Sequence, residues 1–336
     1  MFIISLMKKR ILTGITTTGT PHIGNYLGAI KPALELTNDF DESFFFLADY
    51  HAIIKNSNNN EIAESVKSIA LAWLASGLDS KKSFFYRQSD VPEILELSWI
   101  LNCVTAKGLM NRSHAYKAAT ALNSSDEDKG ITMGLFSYPV LMAADILLFN
   151  ATHVPVGADQ IQHIEMTRDI AGRFNHLYKK TFELPEAVIQ ASQKIITGTD
   201  GRKMSKSYGN IIPLLSTEKV LKKSIAKIVT NSLEPGVPKD SADCSVFSLY
   251  SSFASKEEIK EFEQEYANGI SWGDAKGKLF DAINHEITPV RERYNNLLSD
   301  TDLINDQLSD GSKKVREIAK EMLDSIRQSI GISSIR

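Results

Sequence analysis

The feature that most constrains this fold is the alternation of short apolar runs with amphipathic stretches over the N-terminal part of the chain. Arg10 to Ile15 reads as a short buried strand, Thr16 to Thr20 as a turn of small residues, and Tyr26, Leu27, Ile30 and Leu34 recur at helical spacing. Glu42 to Asp49 is an apolar run of strand length that ends in the polar residues Asp49, Tyr50 and His51. The 61–77 segment sets Ile62, Val66, Ile69, Ala70, Trp73 and Leu74 on one helical face, and Ser83 to Gln88 is a further strand. Strand and helix repeated in this way build an open, mostly parallel α/β sheet, in which the carboxyl ends of the strands face the ligand crevice.

The rest of the chain is mainly helical. Glu93 to Leu122 carries helical pattern without an obvious strand, as an insertion into the sheet domain would, and Phe136 to Phe149 is a strongly apolar helix with one acid, Asp145. A short strand at His153 to Val156, a helix from Asp159 to Tyr178, and short strands at Val188 to Gln190 and Lys194 to Ile196 follow. Asn56 to Asn60 is a low-complexity stretch read as a surface loop. Beyond Pro213 the pattern is helical, and Val315, Ile318, Ala319, Met322, Leu323 and Ile326 recur at spacings of three and four. The expected division is a Rossmann-like domain over 1–213, with a helical insertion at about 92–135 and a lysine-bearing loop at about 198–210, and a helical region over 214–336 whose last helix spans about 312–330.

A chain of 336 residues is long enough for two domains, and 43% hydrophobic with 24% charged residues is the balance of a globular protein. A net charge of −3 excludes a global polycation, so any nucleic-acid surface must be local. The densest basic stretch is Arg202, Lys203, Lys206, Lys219, Lys222, Lys223 and Lys227, although a solvated helix face accounts equally well for the last four. Cys103 and Cys244 lack the paired spacing of a disulfide framework or zinc ribbon, which fits a reducing compartment. At the N-terminus the apolar residues of Met1 to Arg10 precede the charges, opposite to a signal peptide, and no apolar run reaches membrane-spanning length. These readings place the protein in the cytoplasm.

Two segments carry chemistry. Gly201-Arg202-Lys203-Met204-Ser205-Lys206-Ser207 puts two ammonium groups on a Ser-rich loop, with Gly198 and Gly201 supplying backbone freedom. Such a loop can follow and stabilise charge that builds on a departing pyrophosphate. Thr20-Pro21-His22-Ile23-Gly24-Asn25 lies between the first strand and helix, where His22 can donate to a phosphate oxygen, Gly24 admits close backbone approach and the helix start offers unpaired N–H groups. His22 also suits a purely capping role. Asp145 is costly among aliphatic neighbours unless something donates to it. The donor could be a ligand, such as an indole N–H, or a neighbouring protein group.

Together the two segments resemble the paired signatures of class I aminoacyl-tRNA synthetases. The stretch Tyr138-Pro139-Val140-Leu141-Met142-Ala143-Ala144-Asp145-Ile146-Leu147, then Val154 to Gln160 and His163 to Asn175, is similar to the bacterial tryptophanyl-tRNA synthetase family, with the likeness running from Gly14 to the final helices. The resemblance implies that Asp145 reads the indole N–H, that Met142, Val154 and Val156 pack on the ring, and that Tyr138, Gln160 and His51 belong to the amino-acid pocket. It assigns ATP contacts to Thr16, Thr17, Thr18, Gly24, Asn25, Gly157, Ala158, Asp159, Ile196, Lys203, Met204, Ser205, Lys206 and Ser207. Lys203, Lys206, Lys117 and His22 take the catalytic roles, with Lys117 reaching the phosphates from the inserted helices. No metal ligand is assigned on the protein.

The implied activity is ATP-dependent activation of L-tryptophan, with Mg²⁺ accompanying ATP, and transfer of the acyl group to the terminal 2′-hydroxyl of tRNA(Trp). The helical region from about Pro213 would bind the anticodon, and the enzyme would be a homodimer. Three positions depart from the family pattern. Thr16-Thr17-Thr18 replaces a Gln-Pro-Ser turn, Ala158 stands where an acid is usual, and His22 stands where many bacterial relatives have threonine. A tyrosine enzyme is the nearest rival, and Gln in place of Met142 would have favoured it. A nucleotidylyltransferase outside the family would hardly need the long helical C-terminus. An inactive RNA-binding paralogue would be expected to lose lysines or histidine that this chain keeps.

Overall fold

In a computed structural model, the residues described are 8–17, 19–54, 58–123, 128–189 and 196–332. Five parallel strands form one sheet: β1 (Arg10–Thr16), β2 (Glu42–Ala48), β3 (Phe84–Arg87), β4 (His153–Pro155) and β5 (Glu186–Val188), in the order β3-β2-β1-β4-β5. β1 pairs with β2 along its whole length, from Arg10 opposite Glu42 to Thr16 opposite Ala48, and with β4 through Ile11 and His153. The strand order reverses between β1 and β4, which opens a crevice at their carboxyl ends. This is the expected Rossmann-like α/β architecture with a helical C-terminal region.

Both faces of the sheet are covered, which is why its strands read as near-continuous apolar runs. On one face Phe44, Phe46 and Tyr86 pack with Leu97, Val140, Leu147 and Phe174. On the other, Phe45, Leu47 and Phe85 pack with Trp73, Leu221, Leu279 and Ile283. The insertion resolves into three helices, Glu93–Val104, Lys107–Met110 and His114–Thr120, followed by the long apolar helix Met133–Leu147.

Several boundaries differ from the sequence reading. Asn58 accepts the N–H of Asn60 at 3.2 Å and caps the helix Asn59–Ala75, so the end of the asparagine run is a helix start rather than a loop. β4 stops at Pro155, one residue before Val156, and β5 runs over Glu186–Val188, ending where the expected strand Val188 to Gln190 begins, while Gln190, Lys194 and Ile195 lie outside the described residues. The apolar helix begins at Met133, where Thr132 accepts the N–H of Leu135.

The final helix is Thr301–Ile330, beginning well before residue 312. Its first turns bury Ile304 and Leu308 in the second core cluster, whereas Val315, Ala319, Leu323 and Ile326 belong to the first. The residues between them, Gly311 and Ser312, lie across β3: a Cβ on Gly311 would sit 1.8 Å from the Phe85 carbonyl oxygen. Bidentate pairs of Arg316 with Glu93 (2.9 Å) and Arg327 with Glu96 (2.6 Å) tie this helix to Glu93–Val104. The helix Trp272–Leu298 reaches the N-terminal half through Glu286, which accepts from Tyr26 Oη (2.7 Å) and Lys31 Nζ (2.9 Å).

Candidate active site

The crevice at the strand reversal deepens into a cavity of about 520 Å³. Thr13, Gly14 and Thr16 of β1 form one wall, Val154 and Pro155 of β4 with Val156 and Gly157 form another, and His51, Tyr138, Met142, Asp145 and Gln160 close it. All seven residues assigned to the amino-acid pocket therefore meet in one space, together with Thr16 and Gly157. The volume lies in the roughly 300–1,000 Å³ range of small-molecule sites.

Asp145 is 1% exposed, yet it is not unpaired. Gln88 Nε2 donates to Oδ1 at 2.8 Å and to Oδ2 at 3.0 Å, and His51 Nε2 lies 2.9 Å from Oδ2. Burial pushes the carboxyl pKa up, against the bonds from His51 and Gln88 that hold it down. Of the two donors left open by the sequence, the protein itself supplies one set. A carboxylate offers about four acceptor positions, so three short contacts leave capacity for another donor. Tyr138 Oη hydrogen-bonds His163 Nε2 at 2.8 Å, which fixes the phenol edge-on to that imidazole. Gln88 was not singled out in the sequence, although it sits at the carboxyl end of a strand, the position that drew attention to Asp49, Tyr50 and His51.

The two charged motifs meet beside this cavity. Ile23 N–H donates to Ile212 O at 2.9 Å and Leu214 N–H to Pro21 O at 3.1 Å, so the segment after the lysine loop is paired to the segment around His22. The Gly24 N–H points at Met204 Sδ, 3.4 Å away. A Cβ on Gly19, whose φ is +59°, would lie 3.0 Å from Lys206 Nζ, which places that ammonium against the turn following β1. Burial pulls the Lys206 pKa down to about 8. Burial, with Lys206 beside it, pulls His22 down to about 4, so this imidazole is neutral at pH 7. Its Nδ1 is buried without a hydrogen-bond partner among the described residues. The capping of the helix falls instead to Asn25, whose Oδ1 accepts the His22 N–H at 3.1 Å.

The lysine loop is a hairpin. Met204 N–H donates to Ile196 O (2.8 Å) and Gly198 N–H to Arg202 O (2.7 Å), while Lys203 is exposed. Its organiser, not foreseen in the sequence, is Asn210, which is 2% exposed. Asn210 Oδ1 accepts the Ser205 N–H (2.7 Å), and Nδ2 donates to Asp200 Oδ1 (2.6 Å) and Lys203 O (3.1 Å). The bond from Asn210 and the pairing with Arg202 pull the Asp200 carboxyl down to about 2. Ser205 and Ser207 bond each other at 2.8 Å.

The remaining candidates stand apart from the cavity wall. Thr17 is fully buried, Lys117 is exposed on the helix whose Ala115 lines the cavity, and Ala158 is exposed at the start of a short 3-10 turn. Thr18 lies outside the described residues, as does the side chain of Asp159. Lys219, Lys222, Lys223 and Lys227 are all exposed, over a face whose Leu221 and Ile225 are buried.

A parallel sheet with a crevice at the strand reversal, a histidine-bearing helix start and a two-lysine hairpin define a class I synthetase catalytic domain. The chain belongs to the class I tRNA synthetase family of the tryptophan and tyrosine enzymes, which matches residues 7–287. It is 52% identical over 336 residues to the tryptophan–tRNA ligase of Neisseria meningitidis serogroup A, covering 98% of this chain and 100% of the relative. It is 54% identical over 337 residues to that of Pseudomonas aeruginosa, covering 98% of this chain and 75% of the other. The tryptophanyl-tRNA synthetase of Campylobacter jejuni, solved with ADP and tryptophan, superposes with a TM-score of 0.86 at 42% identity, over 96% of this chain and 99% of that one.

Proposed function

We propose that this chain is a tryptophan–tRNA ligase. It joins L-tryptophan to ATP as tryptophanyl-adenylate with release of diphosphate, then passes the acyl group to the 2′-hydroxyl of the 3′-terminal adenosine of tRNA(Trp) with release of AMP. The observation that carries the amino-acid assignment is the buried Asp145 carboxylate on the wall of a cavity that also presents the apolar side chains of Met142, Val154 and Val156. Indole has one N–H and no acceptor, so an acceptor-only group among apolar side chains suits it. A phenol needs a partner that donates as well.

In the first step an oxygen of the tryptophan carboxylate attacks the α-phosphorus in line, and the bond to the bridging oxygen of the diphosphate breaks. The protein contributes position and charge rather than a nucleophile. Tyr138, Gln160 and His51 orient the amino acid, while Thr16, Gly24, Asn25, Gly157 and the backbone from Ala158 to Asp159 receive ATP. Thr17 and Thr18 are assigned to the same nucleotide contact. Ile196, Met204, Ser205 and Ser207 belong to the loop that covers the nucleotide. Lys203, Lys206 and Lys117 stabilise charge on the departing diphosphate, and neutral His22 donates one N–H to a phosphate oxygen. Mg²⁺ enters with ATP as part of the substrate, held by phosphate oxygens and its own waters. Among the described residues no cluster of three His, Cys, Asp or Glu side chains could hold a metal ion.

The division 1–213 and 214–336 assigns catalysis to the first part and anticodon contact to the helices of the second. We take the enzyme to be a cytoplasmic homodimer. Trp99, 72% exposed, and Leu95, 43% exposed, on the helix Glu93–Val104 support a partner surface. No helix among the described residues is long and apolar enough to cross a membrane. Charging of unfractionated tRNA with labelled tryptophan tests the whole reaction. Label confined to tRNA(Trp) is expected, and label absent from it, or equal labelling with tyrosine, would overturn the reading.

A further inference from the structure

We propose that Gln88 is the positioning residue that makes Asp145 selective, by holding its carboxylate in one rotation with a neutral donor and leaving one oxygen able to accept from the ligand. The inference rests on the reading of Asp145 as the acceptor for the indole N–H.

Gln88 is fully buried at the carboxyl end of β3, and its amide cannot face either way at will. Oε1 accepts the Tyr50 N–H at 3.1 Å, a hydrogen shared with Asp49 Oδ1. This fixes Nε2 toward Asp145; a flipped amide would set an oxygen against the carboxylate and an NH₂ against an N–H. The turn bearing Tyr50 is itself clamped, because Asp49 Oδ1 accepts the Ser89 N–H at 3.0 Å and Oδ2 accepts the Ser89 hydroxyl. The ends of β2 and β3 are thus locked together directly behind the carboxylate.

Nε2 stands 2.8 Å from Oδ1 and 3.0 Å from Oδ2, a fork that resists rotation of the carboxylate. His51 adds a third contact on Oδ2 at 2.9 Å. Oδ1 therefore carries one short contact against two on Oδ2, and the unused acceptor capacity falls on Oδ1. An arginine or lysine in place of Gln88 would satisfy the carboxylate with a full charge and weaken its call for a further donor. A glutamine supplies geometry without neutralisation. A buried acceptor with a vacant position rejects any ligand that cannot fill it.

The test compares pyrophosphate exchange with tryptophan and with 3-(benzothiophen-3-yl)alanine, in which sulfur replaces the indole N–H at nearly constant shape, using the full chain and its Gln88→Leu and Gln88→Glu variants. The unaltered enzyme should prefer tryptophan strongly. Gln88→Leu should lower the ratio of kcat/KM values by about tenfold, the scale of one lost hydrogen bond, with the KM for ATP unchanged. Gln88→Glu keeps the shape and volume of the side chain but faces one carboxyl with another, so the two compete for a proton. Its preference should fall as pH rises, because the protonated form donates to Asp145 and the ionised form repels it; His51 and Asp49 face the same carboxylate in both proteins, so the fall is read as the difference from the unaltered enzyme at each pH. An unchanged ratio in both variants, with the KM values for tryptophan and ATP rising together, would make Gln88 merely structural and overturn the inference. If the unaltered enzyme itself fails to discriminate, the reading of Asp145 falls first and this inference with it.

Discussion

The side-chain oxygen of Asn210 accepts the backbone N–H of Ser205 at 2.7 Å, pinning the lysine hairpin from behind. The same side chain donates to Asp200 and to the Lys203 carbonyl, so three points on the hairpin share one buried amide. A Cβ on Gly198 would lie 2.4 Å from that amide and 2.5 Å from the Asn210 backbone oxygen, so the hairpin tolerates only glycine there. Asn210→Ala is expected to slow adenylation by about tenfold or more, since freeing the loop removes transition-state contacts worth at least ~1.4 kcal/mol. The tryptophan affinity should hold, because Asn210 does not line the amino-acid cavity. Single-turnover kinetics with equilibrium binding separates the two, and equal loss of both would make Asn210 a general stability residue.

Burial draws the Lys206 pKa down to about 8, which brings its charge loss into an accessible range. The protonated form is the useful one, so kcat/KM for ATP in the exchange reaction should fall as pH rises through about 8. That ratio reports groups of the free enzyme, whereas kcat reports the complex. Bound triphosphate favours the ammonium, so the fall in kcat should come at higher pH. Lys206→Arg should lose the alkaline fall near pH 8 while retaining part of the rate. An alkaline limb unchanged in the arginine variant would assign it to another group.

Much of the fold was legible because apolar periodicity and burial coincide. β1, β2 and β3 are covered on both faces, and their runs of Ile, Leu and Phe say so directly. The start of the last helix was less readable: Gly311 and Ser312 interrupt the apolar pattern because they pass over β3 at backbone distance, which is a tertiary cause. The pocket residues were carried by the family resemblance rather than by periodicity, and they line one cavity because Asp145, Met142 and Tyr138 share one helix while Val154 and Val156 lie at a strand end beside it. Gln88 and Asn210 escaped notice because a polar side chain that holds another group carries no local signature. Their function appears only when residues 57 and 5 positions away, Asp145 and Ser205, are brought against them.

The crossing of Gly311 over β3 is a stability element. Gly311→Ala would drive a Cβ to 1.8 Å from the Phe85 carbonyl oxygen, and relief requires moving either the final helix or an interior strand. Overpacking of this kind costs about 1–3 kcal/mol or more, so for a chain of this length calorimetry should record a fall in Tm of about 2–4 °C or more. Gly277→Ala, where no atom lies within 4 Å of the added Cβ, is the control and should leave Tm within about 1 °C or raise it. Equal Tm values for the two variants would mean that the final helix does not pack on β3 in solution.

Asp145→Ala leaves the Gln88 amide and His51 facing a void, and removes the acceptor proposed for the ligand. The KM for tryptophan should rise by about 10- to 100-fold, the range for a hydrogen bond to a charged group. The KM for ATP should change little, since Asp145 touches no residue of the lysine hairpin. Parallel loss of both substrates would make the carboxylate a structural acid.

The most direct test of this account is exchange of labelled pyrophosphate into ATP with each of the twenty amino acids supplied separately. Exchange supported by tryptophan and by no other amino acid is the predicted result. Exchange with tyrosine at a comparable rate would contradict the reading of Asp145, Met142 and the cavity they share.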